Sequence, residues 1–222
     1  MVGELYAVLI LAFGLGLVHA LDADHIIAVS VLSSDQSGRH QSIHFAFQWA
    51  TGHGVVLLLV SMLFFLLGEA MPVQFSEIAE QLVGLVLIAL GLMMFYKIRQ
   101  ARIRLHFHSH EGLLPHAHWH QQSGPENTQH GHKAILIGGL HGMAGSAPLL
   151  AGFPIMVTAG ISDVLIYIAI FSSGVFLAMV CFGGVFGSVI KKISEKNNHS
   201  LKILQTLLAI VSIGIGVRLV SG

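Results

Sequence analysis

The sequence predicts an all-α integral membrane protein, with six transmembrane helices arranged as two inverted repeats of three. Three observations predict it. The 222-residue chain is 54% hydrophobic and only 10% charged, with a mean hydropathy of +0.77, where soluble domains carry about 25% charged residues. Six apolar segments are long enough to cross a hydrocarbon core of about 30 Å. The basic residues fall almost entirely into alternate connections between those segments.

The first segment, 5–32, follows Met-Val-Gly-Glu, which lacks the basic start of a signal peptide. It is therefore expected to stay in the mature chain. Segments 44–67, 78–98, 133–153, 161–189 and 202–220 complete the set, filled by Leu, Ile, Val and Phe. Gly138/Gly142 and Gly183/Gly187 have the small-xxx-small spacing that lets helices approach closely, a weak signal in Gly-rich spans. Arg39 lies in the first connection, Lys97, Arg99, Arg102, Arg104 and Lys133 in or beside the third, and Lys191, Lys192, Lys196 and Lys202 in the fifth. Only Arg218, of the 11 Lys and Arg, falls on the other face. The positive-inside rule then makes those three connections cytoplasmic and leaves both termini outside, in a cytoplasmic (inner) membrane.

Three units follow: a first three-helix half over 1–99, a cytoplasmic loop over 100–132, and a second half over 133–222. The first spans of the halves align as Gly16-Leu17-Val18-His19 against Gly138-Gly139-Leu140-His141, and the second spans, weakly, as His53-Gly54-Val55 against Ser173-Gly174-Val175. Three spans per half place the halves in opposite orientations, and proteins so built bind solutes near the bilayer midplane. Zero net charge argues against nucleic acid as a partner. The single cysteine, Cys181, excludes an intramolecular disulfide and a thiolate cluster. No His-Glu-x-x-His lies on any span, so a metalloprotease is disfavoured and no enzyme is expected.

The function is read from His19-Ala20-Leu21-Asp22-Ala23-Asp24-His25 inside the first span. Each aspartate at that depth costs about 2.5–3.5 kcal/mol on insertion scales, so the cluster needs a counter-charge. Lys97, Lys133 and Lys202 stand at span ends and Arg218 near one, so no Lys or Arg lies deep inside a span, which leaves a metal ion or a proton. At about 1.5 Å of rise per residue from the cytoplasmic end, His25 lies about 10 Å deep and His19 about 20 Å, with His53 at about 14 Å and His141 at about 12 Å. One slab therefore holds all of them, as a shared site requires. Either His53 or His141 alone would read equally well as an interhelical hydrogen-bonding residue. On a continuous helix His19, Asp22 and His25 share one sector of about 120°. Asp24 points about 100° away, so either it orients an imidazole or faces another helix, or the helix is unwound there.

Between His106 and His132 stand eight of the 15 histidines: His106, His108, His110, His116, His118, His120, His130 and His132. They mostly alternate in a polar Gly/Pro/Gln segment that is expected to be mobile, suited to auxiliary metal capture. The composition fits Ni, Co, Zn or Cu alike.

These residues resemble the nickel/cobalt transporter superfamily, and within it the six-span branch of UreH-like urease accessory membrane proteins. The resemblance rests on His19, Asp24 and His25, which fit that family's His-x4-Asp-His signature, on Gly52-His53, on the His-rich loop, and on His141-Gly142-Met143-Ala144-Gly145-Ser146-Ala147. It covers essentially the whole chain. Larger members carry two further helices absent here, and Pro148 and Pro154 stand where a plainer apolar run is usual. The resemblance implies passage of Ni²⁺ or Co²⁺ across the cytoplasmic membrane in support of a nickel enzyme, with a cytosolic nickel chaperone as protein partner. It also gives Asp24 more weight than helix geometry does.

The expected function is thus a permease whose cargo, Ni²⁺ or Co²⁺, binds His19, Asp22, Asp24 and His25 with help from His53 and His141. No cofactor is required beyond that cargo, the surroundings are the lipid bilayer, and the sequence sets no oligomeric state. Protons compete with metal for imidazole, so transport is expected to weaken in acid. The alternatives are a non-transporting membrane metallochaperone, a metal efflux protein, or a proton relay. An anion carrier is disfavoured, because no basic residue sits at midplane to receive its cargo.

Overall fold

The computed structural model describes residues 2–34, 39–67, 72–100, 106–108, 116–118, 130–144 and 161–222. Seven helices and one short ribbon lie among them: α1 Val2–His19, α2 Ala23–Ser33, α3 Arg39–Leu67, α4 Val73–Gln100, β1 His106–His108, β2 His116–His118, α5 His130–Ala144, α6 Ile161–Lys196 and α7 Asn198–Ser221. Four of these helices, α3, α4, α6 and α7, are long and apolar enough to cross a membrane, and α1 with α2 makes a fifth, bent span. The protein is a multi-pass helical membrane protein.

The first expected span, 5–32, is not one continuous helix. It breaks after His19, and the two pieces meet at 56°. Two tight i→i+3 bonds, Leu21 N–H to Val18 O and Asp22 N–H to His19 O, wind α1 down, and Ile26 N–H to Asp22 O starts α2. Asp22 sits at the N-cap position of α2, yet its side chain makes no capping bond. Non-helical backbone is tolerated at membrane depth only where protein or a polar cavity surrounds it. Of the fourth expected span, 133–153, α5 supplies the part up to Ala144; the remainder, with Pro148 and Pro154, lies outside the described residues. In the expected mobile loop the structure places an antiparallel ribbon, with His106 opposite His118 and His108 opposite His116. A two-residue alternation flanking a Gly- and Pro-containing stretch is the pattern of a hairpin. His110 and His120 lie outside the described residues, and His130 and His132 are on the first turn of α5.

Lipid removes the hydrophobic drive between helices, so close backbone approach must supply the packing. Glycine makes it here. A methyl group on Gly16 of α1 would strike the carbonyl of Phe171 in α6, and one on Gly174 would strike that of Phe13. In α3 and α5, Gly138 abuts the carbonyl of Trp49 and Gly52 that of Ile135. The α1–α6 and α3–α5 crossings are therefore built alike, each glycine lying three residues past the carbonyl that meets its partner. Gly84 of α4 and Gly216 of α7 abut each other's carbonyls at 2.7 and 2.5 Å from the position a Cβ would take. Gly142 packs on His53, while Gly183 and Gly187 pack on Ser42 of α3, as the small-residue spacing predicts. Ser212 Oγ donates to Leu87 O at 2.7 Å, tying α7 to α4, and Gln205 Nε2 donates to Ser34 O at 3.2 Å, tying it to the end of α2. Leucines such as Leu59, Leu63, Leu85 and Leu92 face outward, where lipid would lie.

Candidate metal site

Four elements bring four histidines together. His19 ends α1, His25 lies in the first turn of α2, His53 is midway along α3, and His141 is near the end of α5. All four are buried. Ring centroids are 4.6 Å apart for His19 and His25, 5.1 Å for His25 and His53, 5.6 Å for His19 and His53, and 5.3 Å for His25 and His141. The break between α1 and α2 makes this meeting possible. It turns His19 and His25 toward each other edge to face, at 71° between planes.

The nitrogens are sorted. His19 Nδ1 lies 2.8 Å from Asp22 Oδ2, His25 Nδ1 lies 3.1 Å from Asp24 Oδ2, and His141 Nδ1 lies 2.9 Å from the carbonyl of Ile137. Each of those acceptors takes an N–H from the imidazole and so leaves the lone pair on Nε2. The Nε2 atoms of His19, His25 and His141 are buried without a hydrogen-bond partner, as are both ring nitrogens of His53. A buried polar group without a partner costs about 1–3 kcal/mol. Five such nitrogens on four rings meet here, and a metal cargo would take one lone pair from each ring. A carboxylate or carbonyl holding the far nitrogen is the usual support for a metal-binding imidazole. One ligand atom each from His19, His25 and His53 lie within 4.8 Å of one another. Bonds of about 2.0–2.1 Å from a common ion bring donors closer than that, within reach of small ring rotations.

Both aspartates are therefore near the cluster in different ways. Asp24 is partly buried, with its side chain 21% exposed, and Oδ2 also stands 4.0 Å from His141 Nε2. Asp22 is 52% exposed and holds His19. The continuous-helix reading, which set Asp24 on the wrong side, fails because three residues between α1 and α2 are not helical. The unwound alternative describes the chain. Ion pairs of both carboxylates among the described residues are with imidazoles.

Sequence reading missed Trp49. Its indole stacks on His53 at 5.3 Å and 19°, and stands edge-on to His25 at 5.1 Å. Its place four residues before His53 on α3 puts it on the same helix face, a spacing too common among aromatic residues to single it out. Phe171, 5.7 Å from His19, closes the α6 side.

Fold and cluster together define a class: a multi-pass helical membrane protein with four buried histidines gathered in its interior. The chain belongs to the NicO family of high-affinity nickel-transport proteins, which matches residues 5–221. It is also 30% identical over 187 residues to the urease accessory protein UreH of Bacillus sp. (strain TB-90), across 83% of this chain and 78% of that protein. No solved structure matches it. It is a non-enzymatic membrane protein of nickel transport.

Proposed function

We propose that this protein is a permease that carries Ni²⁺, and Co²⁺ of like size and ligand preference, across the cytoplasmic membrane. The cargo is held by Nε2 of His19, His25 and His141 and by a nitrogen of His53, with Asp24 and Asp22 orienting imidazoles and supplying negative charge. The observation that carries this reading is the set of buried imidazole nitrogens, all without partners, converging from four helices. Imidazole suits Ni and Co, while the carboxylates offset the charge of a divalent ion in a low-dielectric interior.

In this reading six spans cross the bilayer, the second half beginning with α5 and continuing beyond Ala144. Both termini are outside, and the His-rich loop faces the cytoplasm. The halves are inverted repeats. The matched glycine crossings support this, since Gly16 plays in α1 the part Gly138 plays in α5, and Gly174 plays in α6 the part Gly52 plays in α3. That pairing shifts the second-span alignment by two residues and sets Val175 opposite His53, so the second half keeps one ligand, His141, of its own. His106, His108, His110, His116, His118, His120, His130 and His132 collect metal on the cytoplasmic side.

Uptake of radiolabelled nickel by cells expressing the chain tests the assignment. His19→Ala and Asp24→Asn are each expected to lower initial uptake by about 10–100-fold, the usual loss when a metal ligand or its orienting partner is removed. Unchanged flux in both would sink it. The relative's name favours a second reading, delivery of nickel to a urease-type enzyme through a cytosolic nickel chaperone. Deleting 106–132 separates the two: a permease keeps flux, whereas a delivery protein loses enzyme activation.

A further inference from the structure

Among the described residues, two groups of side chains are close enough to share an ion, and they have one residue in common. His19, His25 and His53 form the first, buried throughout. Asp22, Asp24 and His25 form the second, and it runs from the exposed Asp22 to the buried His25. In each group the ligand atoms lie within 4.8 Å of one another. We infer that these are two successive stations for the cargo, an outer carboxylate station at Asp22, Asp24 and His25 and an inner imidazole station, with His25 as the shared pivot. The inference rests on the metal-transport reading and adds the route by which the ion reaches the imidazoles.

Exposure orders the stations. The Asp22 side chain is 52% exposed, that of Asp24 21%, and that of His25 2%. Chemistry orders them the same way. Carboxylate oxygens are hard ligands that accept a partly hydrated divalent ion and attract it by charge. Imidazoles complete dehydration and favour Ni and Co over harder ions. Two carboxylates by themselves would indicate nothing. What gives this pair direction is His25, buried, with its Nε2 unpartnered and its ring against His19, His53 and His141. Asp22 is also free of the task its position normally imposes. It occupies the N-cap of α2, but its carboxylate leaves the helix N–H groups alone and holds His19 Nδ1. An ion drawn to Asp22 therefore arrives at the residue that touches the first imidazole. Because both stations include His25, the ion stays beside that ring as it passes from one to the other.

Asp22→Asn separates a ligand from a prop. The amide oxygen still accepts the His19 N–H, while the charge and the strong ligand are gone. In nickel uptake this variant is expected to raise KM by about tenfold, the lower end for weakening a metal site. Excess Mn²⁺, which prefers oxygen ligands, should compete with nickel in the wild type and fail to compete in Asp22→Asn. An unchanged KM, or a fall in maximal rate alone, overturns the outer station. Purified full-length protein supplies a readout without transport: Mn²⁺ titration followed by electron paramagnetic resonance. Binding should persist in His53→Ala and disappear in Asp22→Asn. Mn²⁺ binding indifferent to Asp22 removes the outer station while leaving the permease reading intact. Asp22-dependent binding in a protein that moves no nickel removes the permease reading and keeps the station.

Discussion

His53 is the histidine of the cluster with nothing on either nitrogen, and Trp49 lies flat against it. That pairing makes the site observable. Replacing Trp119 by Phe leaves Trp49 as the only indole of the two, and Co²⁺ or Ni²⁺ added to the purified protein should quench its fluorescence. The same titration on Trp119→Phe/His53→Ala should show a quench displaced to at least about tenfold higher metal. Identical curves would take His53 out of the site. At this scale the sequence was readable in part. His19, Asp24 and His25 stand in one short motif, and a rise of about 1.5 Å per residue was enough to set His53 and His141 at its level. Trp49 and the Ile137 carbonyl were not readable, because aromatic residues and backbone acceptors are abundant in any membrane helix. Only the contact singles them out.

Between helices, glycine decides what is allowed. Gly14 and Gly16 lie two residues apart on α1, yet a methyl group on Gly14 meets nothing within 4 Å while one on Gly16 runs into the backbone of Phe171. Gly14→Ala is therefore expected to hold or raise the thermal midpoint in detergent, since alanine is favoured over glycine in a helix by about 1 kcal/mol. Gly16→Ala is expected to lower it by an amount corresponding to about 1–3 kcal/mol of overpacking. Equal behaviour of the two would mean that α1 and α6 do not cross as described. Gly142→Ala carries a functional consequence as well. Its methyl group would press on the carbonyl of His53, so nickel affinity should fall along with stability, whereas Gly214→Ala, in open space, should leave both alone. The Gly138/Gly142 and Gly183/Gly187 spacings were visible in the sequence; which helix each faces was not.

Over the whole molecule, alternate loops carry the charge, and this sets a test of orientation. With the exposed Cys181 replaced by Ser, a single cysteine at Ser221 should react with a membrane-impermeant maleimide in intact cells. One at Glu126, in the His-rich loop, should react only after the cells are opened. The reverse pattern would invert the proposed topology and with it the side from which Asp22 is reached. Removing 106–132, which takes only the first turn of α5, should leave a folded protein; a loss of the folded state would show the loop to be part of the core.

The sequence by itself determined the membrane class, and its axial rise put His19, His25, His53 and His141 at one level, where the structure brings their rings together. Hydropathy, charge asymmetry and axial rise are properties of the chain taken one segment at a time. Tertiary structure decided the rest: which imidazole nitrogens turn inward, which aspartate holds which ring, and that Asp24 belongs with the cluster. The reason is local. A helix carries its angular phase from residue to residue only while it stays helical, and Ala20, Leu21 and Asp22 interrupt it. Past that break the direction of Asp24 and His25 is set by how α2 packs against α4, α6 and α7, which no spacing in the motif encodes.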